Sequence, residues 1–408
     1  MEEVRYRWTI LAVGVGAQAS LSALQQGMPA LGPALREAYG LSLSEVGVVL
    51  AAASWGILAT LFVWGWLADR TSERLVISTG LALAAATLVA TAYAPGFGWL
   101  LAGLVVAGGF GAASAAASGR AVMGWFPRTE RGFALGIRQM AVPLGGAIAA
   151  LTLPLLGGVR GALLALAGAC LAGALASAIW LREPPPPPPG RPKVTSPPPL
   201  RDRRVWRLSI GSGLMVCAQV AMIAFVVLFL HDHRGVSAGT AAISLAVIQL
   251  GGAAARLIAG RRSDREGRRI VPLRRHALVM TGLLLATGLL ADAPLWLLAP
   301  VLLAGGVATM SWNGLSFTAA AELAGRDRAG TALGLQGTIM RVVSAGAAVG
   351  FGLLVAATSW PAAFALLGLL PLAGWMLLAP LVGEEEERVR ARERRLAARR
   401  SPDMLPAA

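Results

Sequence analysis

The stretch GRRSDREGRR, from Gly260 to Arg269, places seven charged residues in ten positions of a chain in which only 14% of residues are charged. It directly follows a long apolar stretch. A looser copy, GWLADRTSER, runs from Gly65 to Arg74 and also follows an apolar stretch. Asp69 of the looser copy stands 195 positions before Asp264 of the other. The recurrence of so unusual a segment indicates that the chain contains two copies of one unit.

The composition predicts a membrane protein. Of the 408 residues, 56% are hydrophobic, and the mean hydropathy is +0.65. A soluble protein of this length would carry about a quarter charged residues. Here the apolar residues form blocks of roughly 18–25, the length that crosses a bilayer as an α-helix. We therefore predict an all-α polytopic membrane protein with twelve transmembrane helices in two six-helix bundles.

The predicted organisation has four parts. The first bundle occupies residues 1–181, a proline-rich linker residues 182–204, the second bundle residues 205–382 and a charged tail residues 383–408. The twelve predicted spans are Trp8–Met28, Ser44–Trp66, Leu75–Tyr93, Gly98–Val122, Gly132–Leu156, Gly161–Leu181, Trp206–Leu230, Gly239–Ile258, His276–Ala291, Pro294–Phe317, Gly330–Ala357 and Pro361–Val382.

A second recurrence fits this layout. ERGFALGI, residues 130–137, resembles RAGTALGL, residues 328–335, and each segment enters the fifth span of its half. Gly132 stands 198 positions before Gly330. Two parallel copies of a six-helix unit are one way to build a transporter, with the substrate site between them at the middle of the bilayer.

The formal charge of +15, from 36 basic and 21 acidic residues, predicts the orientation. The loops predicted to face outward contain three arginines, Arg36, Arg160 and Arg234, and most other basic residues lie in the opposite loops, the linker and the tail. The positive-inside rule then places both termini in the cytoplasm. Because the charges lie in short loops between apolar blocks, we expect a bilayer as the partner and no nucleic acid. The tail is expected to form a solvated helix.

With these features the chain resembles the major facilitator superfamily, whose loop motif Gly-x-x-x-Asp-Arg-x-Gly-Arg-Arg joins spans two and three and recurs between spans eight and nine. The second copy is complete, whereas the first has Ser72 and Glu73 at two motif positions. The resemblance implies that these loops lock the outward-open state and break as the halves rock. The gating residues that it implies are Gly65, Asp69, Arg70, Arg74, Gly260, Asp264, Arg265, Gly267, Arg268 and Arg269.

Other segments resemble bacterial anion and organic-acid carriers of the superfamily, which implies a location in the inner membrane. These segments are residues 119–146 and residues 311–335. The fifth span also carries part of an antiporter motif, because Pro143 and Gly146 fit it and Val142 and Ala147 do not. A multidrug/proton antiporter is therefore the alternative function.

Four arginines within the predicted spans are candidates for substrate binding: Arg120, Arg138, Arg256 and Arg341. A charge in the bilayer is expensive, and guanidinium binds carboxylates with two hydrogen bonds. For Arg120 snorkelling to the headgroups is the preferred interpretation. Arg256 and Arg341 resemble the basic pair that carboxylate carriers place on spans eight and eleven. No Asp or Glu lies in the central part of a predicted span, which favours an anionic substrate over a cationic drug.

The remaining expectations concern polar side chains and binding partners. Gln139, Gln249 and Asn313 could line the cavity or bond neighbouring helices. The triplet His231–His233 lacks further ligands, and no phosphate-binding loop or nucleophile–base pair occurs. We therefore expect no metal, no cofactor and no enzymatic activity, but a monomeric carrier of a small organic anion of the carboxylate class. Symport with protons and anion exchange both remain open.

Overall fold

Helices make up nearly all of the chain that is described. The computed structural model describes residues 2–126, 131–183, 201–324 and 329–400, and no strand occurs within these ranges. The helices of this described part are α1 (Glu2–Gly27), α2 (Gly32–Tyr39), α3 (Leu43–Arg70), α4 (Glu73–Thr91), α5 (Phe97–Trp125), α6 (Arg131–Thr152), α7 (Gly158–Trp180), α8 (Arg203–Leu228), α9 (Ala238–Glu266), α10 (Ile270–Leu289), α11 (Leu295–Ser311), α12 (Asn313–Ala324), α13 (Ala329–Ala357), α14 (Trp360–Leu377) and α15 (Pro380–Arg400). The all-α prediction is confirmed.

Ten of the predicted spans coincide with helices, or consecutive helices, that are long and apolar enough to cross a membrane. The chain is therefore a multi-pass membrane protein. The first and fifth predicted spans form α1 and α6, which lie outside this set of ten. Gln18 and Gln25 lower the hydropathy of α1, and several side chains at the start of α6 lie outside the described residues. The count of twelve spans stays a prediction.

The tenth predicted span differs from the expectation of one continuous helix. It forms α11 and α12 with a break at Trp312, whose side chain is fully buried. The Trp312 indole donates to the Thr309 carbonyl over 2.8 Å, and the Arg256 guanidinium donates to the Met310 carbonyl. Carbonyl groups in the last turn of α11, just before the break, therefore accept hydrogen bonds from side chains.

The eighth predicted span also differs, because α9 continues eight residues beyond Ile258, to Glu266. Much of the segment Gly260–Arg269 is thus helix rather than loop. Gly267 ends α9 with a φ of +66°, a left-handed conformation that glycine adopts readily, and its N–H donates to the Ser263 carbonyl over 2.9 Å.

Helices α1 and α3–α7 pack on one another, as do helices α8–α14. Polar contacts join neighbours within each group. Thr60 and Trp64 of α3 both donate to the Gly109 carbonyl of α5, over 2.7 and 2.8 Å. In the second group, the hydroxyls of Ser212 on α8 and Ser316 on α12 lie 2.5 Å apart. The predicted linker is largely outside the described residues, and the division into two bundles stays a proposal.

The charged tail begins as a helix, α15, as the sequence predicts. It is not uniformly solvated, because the Glu385 side chain is buried against the start of α10. Its carboxylate accepts from the backbone N–H groups of Arg269, of Ile270 at 2.7 Å and of Val271 at 3.0 Å. Glu385 thereby satisfies N–H groups that a helix start leaves without partners.

Candidate functional site

The two groups of helices meet where α3 begins and α13 ends, which we call the distal end. A Cβ added to Gly47 of α3 would lie 2.8 Å from the Ala348 carbonyl of α13, so only glycine allows this approach. Eight residues further along α3, the Trp55 indole N–H donates to the Ala345 carbonyl of α13 over 2.5 Å. The backbones of α3 and α13 are thus in direct contact.

Helices α6 and α9 form a second contact between the groups. A Cβ added to Gly146 of α6 would lie 2.6 Å from Nε2 of Gln249 on α9 and 2.7 Å from Cβ of Gln26 on α1. In the predicted repeat, α3 corresponds to α9 and α13 to α6. The two contacts between the groups are therefore equivalent, and each depends on a glycine at the point of closest approach.

Charged side chains close the same end. Arg36, which follows the first predicted span, forms an ion pair with Asp232, which follows the seventh. The Asp232 carboxylate also contacts His231 Nδ1 at 2.8 Å, and His233 Nε2 contacts Asp292 at 2.7 Å. The histidine triplet therefore serves in contacts among loops. Among the described residues no three potential ligands gather into a metal site.

Arg138 projects from α6 among neutral acceptors on three helices. Its guanidinium donates to Ser118 Oγ at 2.9 Å, Gln139 Oε1 at 3.1 Å, Gln18 Oε1 at 3.1 Å and the Ala115 carbonyl at 3.3 Å. These are four hydrogen bonds for a group with five N–H donors. No described carboxylate neutralises the charge of Arg138.

Arg341 lies on α13, in the other group of helices. It makes no hydrogen bond or ion pair with any residue in the described part of the chain, although its side chain is half-buried. Its positive charge nevertheless acts on Arg138. The two predicted site residues, one from each group, thus lie close enough for their positive charges to repel each other.

Arg256 has a different environment from Arg341. Its guanidinium donates to the Met310 carbonyl from Nε at 3.2 Å and from Nη2 at 2.9 Å, and to Asn313 Oδ1 at 3.3 Å. Arg256 and Asn313, both predicted site residues, therefore meet each other at the break between α11 and α12. These contacts hold the two helices together and use much of the donor capacity of Arg256.

Gln249 is fully buried at the contact with Gly146. Neither its Oε1 nor its Nε2 has a hydrogen-bond partner in the described structure. A buried amide without partners costs free energy, about 1–3 kcal/mol. The predicted polar role of Gln249 is thus not exercised in this conformation, whereas Gln139 already supports Arg138.

Comparison with known proteins identifies the family. Residues 15–348 match the Major Facilitator Superfamily. The chain belongs to this superfamily. It is 36% identical over 384 residues to an uncharacterised major-facilitator-type transporter of Mycobacterium tuberculosis, covering 90% of this chain and 83% of the relative. It is 28% identical over 356 residues to the probable sulfoacetate transporter of Cupriavidus necator, covering 80% of this chain and 82% of that transporter.

A solved structure shows the same fold. The inward-facing, unoccupied structure of a bacterial homologue of the human lysosomal transporter Spinster superposes with a TM-score of 0.73 at 17% identity, over 93% of this chain and 96% of that one. The fold and the family that the loop motifs predict are confirmed. As a member of the major facilitator superfamily, the chain is a membrane transporter and not an enzyme.

The superfamily's second loop motif forms an ion-pair network centred on Arg269. Its guanidinium contacts Asp264 at 2.7 Å, Glu322 of α12 at 3.0 Å and Ser263 Oγ at 2.7 Å. Burial acts to lower the pKa of Arg269, but the hydrogen bonds and charges of Glu322 and Asp264 outweigh it and raise that pKa. Arg265 and Arg268 make no ion pair with another described residue.

The superfamily's first loop motif is described only in part. Arg70 stacks on the Trp66 ring with its guanidinium carbon 3.9 Å from the ring centroid, and Arg74 is exposed. The side chains of Asp69 and Arg120 lie outside the described residues. A Cβ added to Gly65 or Gly260 would meet nothing within 4 Å. No described neighbouring helix therefore packs closely on these two glycines in this conformation, and the gating role of both motifs stays a prediction.

Sequence reasoning missed several residues at the contacts between the groups. It treated Gly146 only as part of an antiporter motif and Arg36 only as an outward-facing charge, and it did not single out Trp55 or Glu385. Nothing local in the sequence marks these residues, because their partners lie far away in the chain. Asp232, for example, is 196 positions from Arg36.

Proposed function

We propose that this chain is a secondary active transporter that moves a small organic anion of the carboxylate class across the bacterial inner membrane by alternating access. The observation that carries the proposal is the pair formed by Arg138 and Arg341. The two arginines come from different helix groups, their charges interact, and neither has a carboxylate partner among the described residues.

The electrostatics of this pair favour an anionic substrate. Uncompensated charge in a membrane protein is expensive, and a bound anion would reduce that free energy. The guanidinium group of arginine stays charged, and its planar set of N–H donors matches the two oxygens of a carboxylate. Among the described residues, Arg138 has an acceptor for four of its five N–H groups, whereas Arg341 has an acceptor for none. Because each helix group supplies one arginine, an anion held by both would link substrate binding to the relative position of the groups.

The relatives support the same substrate class. The probable sulfoacetate transporter of Cupriavidus necator is named for an organic anion. Arg256, which the sequence pairs with Arg341, donates to Met310 and Asn313 instead. We therefore assign the principal contacts to Arg138 and Arg341, and a supporting role to Gln139, Gln249, Arg256 and Asn313.

The proposed cycle follows from the closed distal end. If the arginine-poor loops face outward and both termini are cytoplasmic, this conformation is closed to the outside. The structure of the Spinster homologue was determined in an inward-facing state. The proposed cycle separates α3 from α13 and α6 from α9, while the loop motifs engage at the other end. The transporter is proposed to work as a monomer, by proton symport or anion exchange.

Uptake into proteoliposomes tests the substrate class. The panel contains small carboxylates and sulfonates, inorganic anions and lipophilic cations. We expect uptake of an organic anion that Arg341→Gln reduces at least tenfold, with Arg261→Gln, an exposed arginine outside the site, as the matched control. Anion uptake that survives both Arg341→Gln and Arg138→Gln would exclude the assignment.

A multidrug/proton antiporter remains the alternative because Pro143 and Gly146 match part of that motif. It predicts proton-driven export of several unrelated lipophilic cations and no organic-anion uptake. Imposing a pH gradient in the same proteoliposomes also separates the coupling modes. Proton symport responds to the gradient, whereas anion exchange requires a counter-anion inside the vesicle.

A further inference from the structure

A groove opens on the lipid-facing side of the second helix group, between α9 and α10, with α11 as its floor. Its cavity has a volume of about 440 Å³ and is walled mainly by apolar side chains: Ala255, Val279, Leu283, Ala304 and Val307. Val279 and Ala304 are exposed. An apolar channel on this surface is suited to a hydrocarbon chain.

The groove becomes basic at the end where α9 stops and α10 starts. Arg262, Arg275 and His276 line this end. A second cavity of about 350 Å³ adjoins it, shares Arg275 and Glu266 with the groove, and adds Arg268. Apolar and charged cavities therefore meet end to end at Arg275.

The charge at this junction is incompletely neutralised. Glu266 pairs with Arg262 at 2.9 Å, which neutralises that arginine. Arg268 and Arg275 have no ion pair with any described residue. His276 uses Nδ1 in a 2.9 Å contact with the Pro272 carbonyl, which leaves Nε2 available. The junction thus offers two unpaired guanidinium groups to an anion.

We propose that the groove and the adjoining cavity form a binding site for one anionic phospholipid. Its acyl chain lies between Val279 and Val307, and its phosphate contacts Arg275, with the remainder of the headgroup toward Arg268. A phospholipid is the ligand that unites an apolar chain with an anionic group at the membrane boundary, and basic pockets between transmembrane helices suit such headgroups. A free anion would leave the apolar groove unused.

The site adjoins the second loop motif, because Glu266 and Arg268 belong to the segment Gly260–Arg269. Val389 of α15 completes the wall of the headgroup cavity. A bound lipid would therefore contact the gating segment and the tail helix together. This inference does not depend on the identity of the transported substrate.

Native mass spectrometry of the full-length protein in detergent, titrated with phosphatidylglycerol, tests the proposal. Arg275→Gln is expected to weaken the first binding step about fivefold, since a basic residue near anionic lipid contributes roughly that factor. Ala304→Trp, which fills the apolar groove from an exposed position, is expected to weaken the same step. The matched controls are Arg261→Gln and Ala254→Trp, which change exposed residues that do not line either cavity.

Each remaining outcome overturns the proposal. Equal binding of phosphatidylcholine would show that the charge is not recognised. Competition by inorganic phosphate together with unchanged binding in Ala304→Trp would identify a site for free anions. Equal losses in Arg261→Gln and Arg275→Gln would indicate general attraction to a basic surface.

Discussion

The indole N–H of Trp55 donates to the backbone carbonyl of Ala345 over 2.5 Å and thereby joins α3 to α13. One residue from the equivalent positions of the predicted repeat, Gln249 lies against Gly146, where α9 meets α6. At the first contact the partner of the Trp55 side chain is a backbone carbonyl, and at the second the partner of the Gln249 side chain is a glycine. The Trp55 side chain joins the groups at the first contact and Gln249 lies against a glycine at the second, and both contacts should break when the distal end opens.

Gly146→Ala should shift the transporter away from the distal-closed state. The added Cβ would lie 2.6 Å from Gln249 Nε2 and 2.7 Å from Gln26 Cβ, so the helices must separate slightly. Overpacking of this kind costs about 1–3 kcal/mol. Spin labels at Ala38→Cys and Gly239→Cys, in protein lacking Cys170 and Cys217, measure the opening as a longer distance. Gly168→Ala, whose Cβ would meet nothing within 4 Å, should leave the distances unchanged.

Arg36→Gln should destabilise the distal-closed state modestly. The Arg36–Asp232 ion pair is partly exposed, with side-chain exposures of 36% and 19%, and such pairs contribute about 0.2–1 kcal/mol. The same pair of spin labels detects the shift. A double-mutant cycle with Asp232→Asn should give a coupling that shrinks in 1 M salt, where the screening length is about 3 Å. A coupling that is absent at low salt would contradict the role of this ion pair, and Glu37→Gln is the matched control.

Arg256→Gln and Arg341→Gln should affect thermal stability differently. Arg256→Gln loses charged hydrogen bonds to Met310 and Asn313, worth about 1.5–3 kcal/mol, and should lower the melting temperature. Arg341→Gln removes a charge that has no partner in the described structure, so the melting temperature should stay constant or rise. Thermal unfolding in detergent without ligand measures both. Equal destabilisation by the two substitutions would show that Arg341 has a structural partner.

Glu385→Gln should loosen the tail helix from α10. The carboxylate caps the N–H groups of Arg269, Ile270 and Val271, and losing such a cap costs about 0.5–2 kcal/mol. Hydrogen exchange should accelerate at these amides and along residues 380–390. Glu387→Gln changes an exposed glutamate on the same helix and provides the control. Exchange that is equally fast in both variants would show that Glu385 is not the anchor.

The sequence predicts the helices well because an apolar block of sufficient length has one stable form in lipid. The seventh predicted span, Trp206–Leu230, differs from α8 by only a few residues at each end. The repeated motif also predicts the family correctly. Hydropathy does not predict the break at Trp312. At this break the Arg256 guanidinium and the Trp312 indole donate hydrogen bonds to carbonyl groups of α11, and hydropathy does not report such contacts.

The candidate site is only partly predictable for the same reason. The sequence identifies arginines that are expensive to bury, but it does not reveal which of them the fold provides with acceptors. Arg138 obtains neutral partners from α1 and α5, and Arg256 obtains a backbone carbonyl of α11. Only the three-dimensional arrangement distinguishes them from Arg341, which has no such partner in the described part of the chain.

The unpaired amide of Gln249 raises the free energy of the distal-closed state. While the distal end is closed, this amide is buried and has no hydrogen-bond partner among the described residues. Opening would return it to water and recover part of the free energy lost on closure. By this argument Gln249 would reduce the difference in free energy between the distal-closed and distal-open states. Even a weakly bound substrate could then shift the equilibrium between the distal-closed and distal-open states.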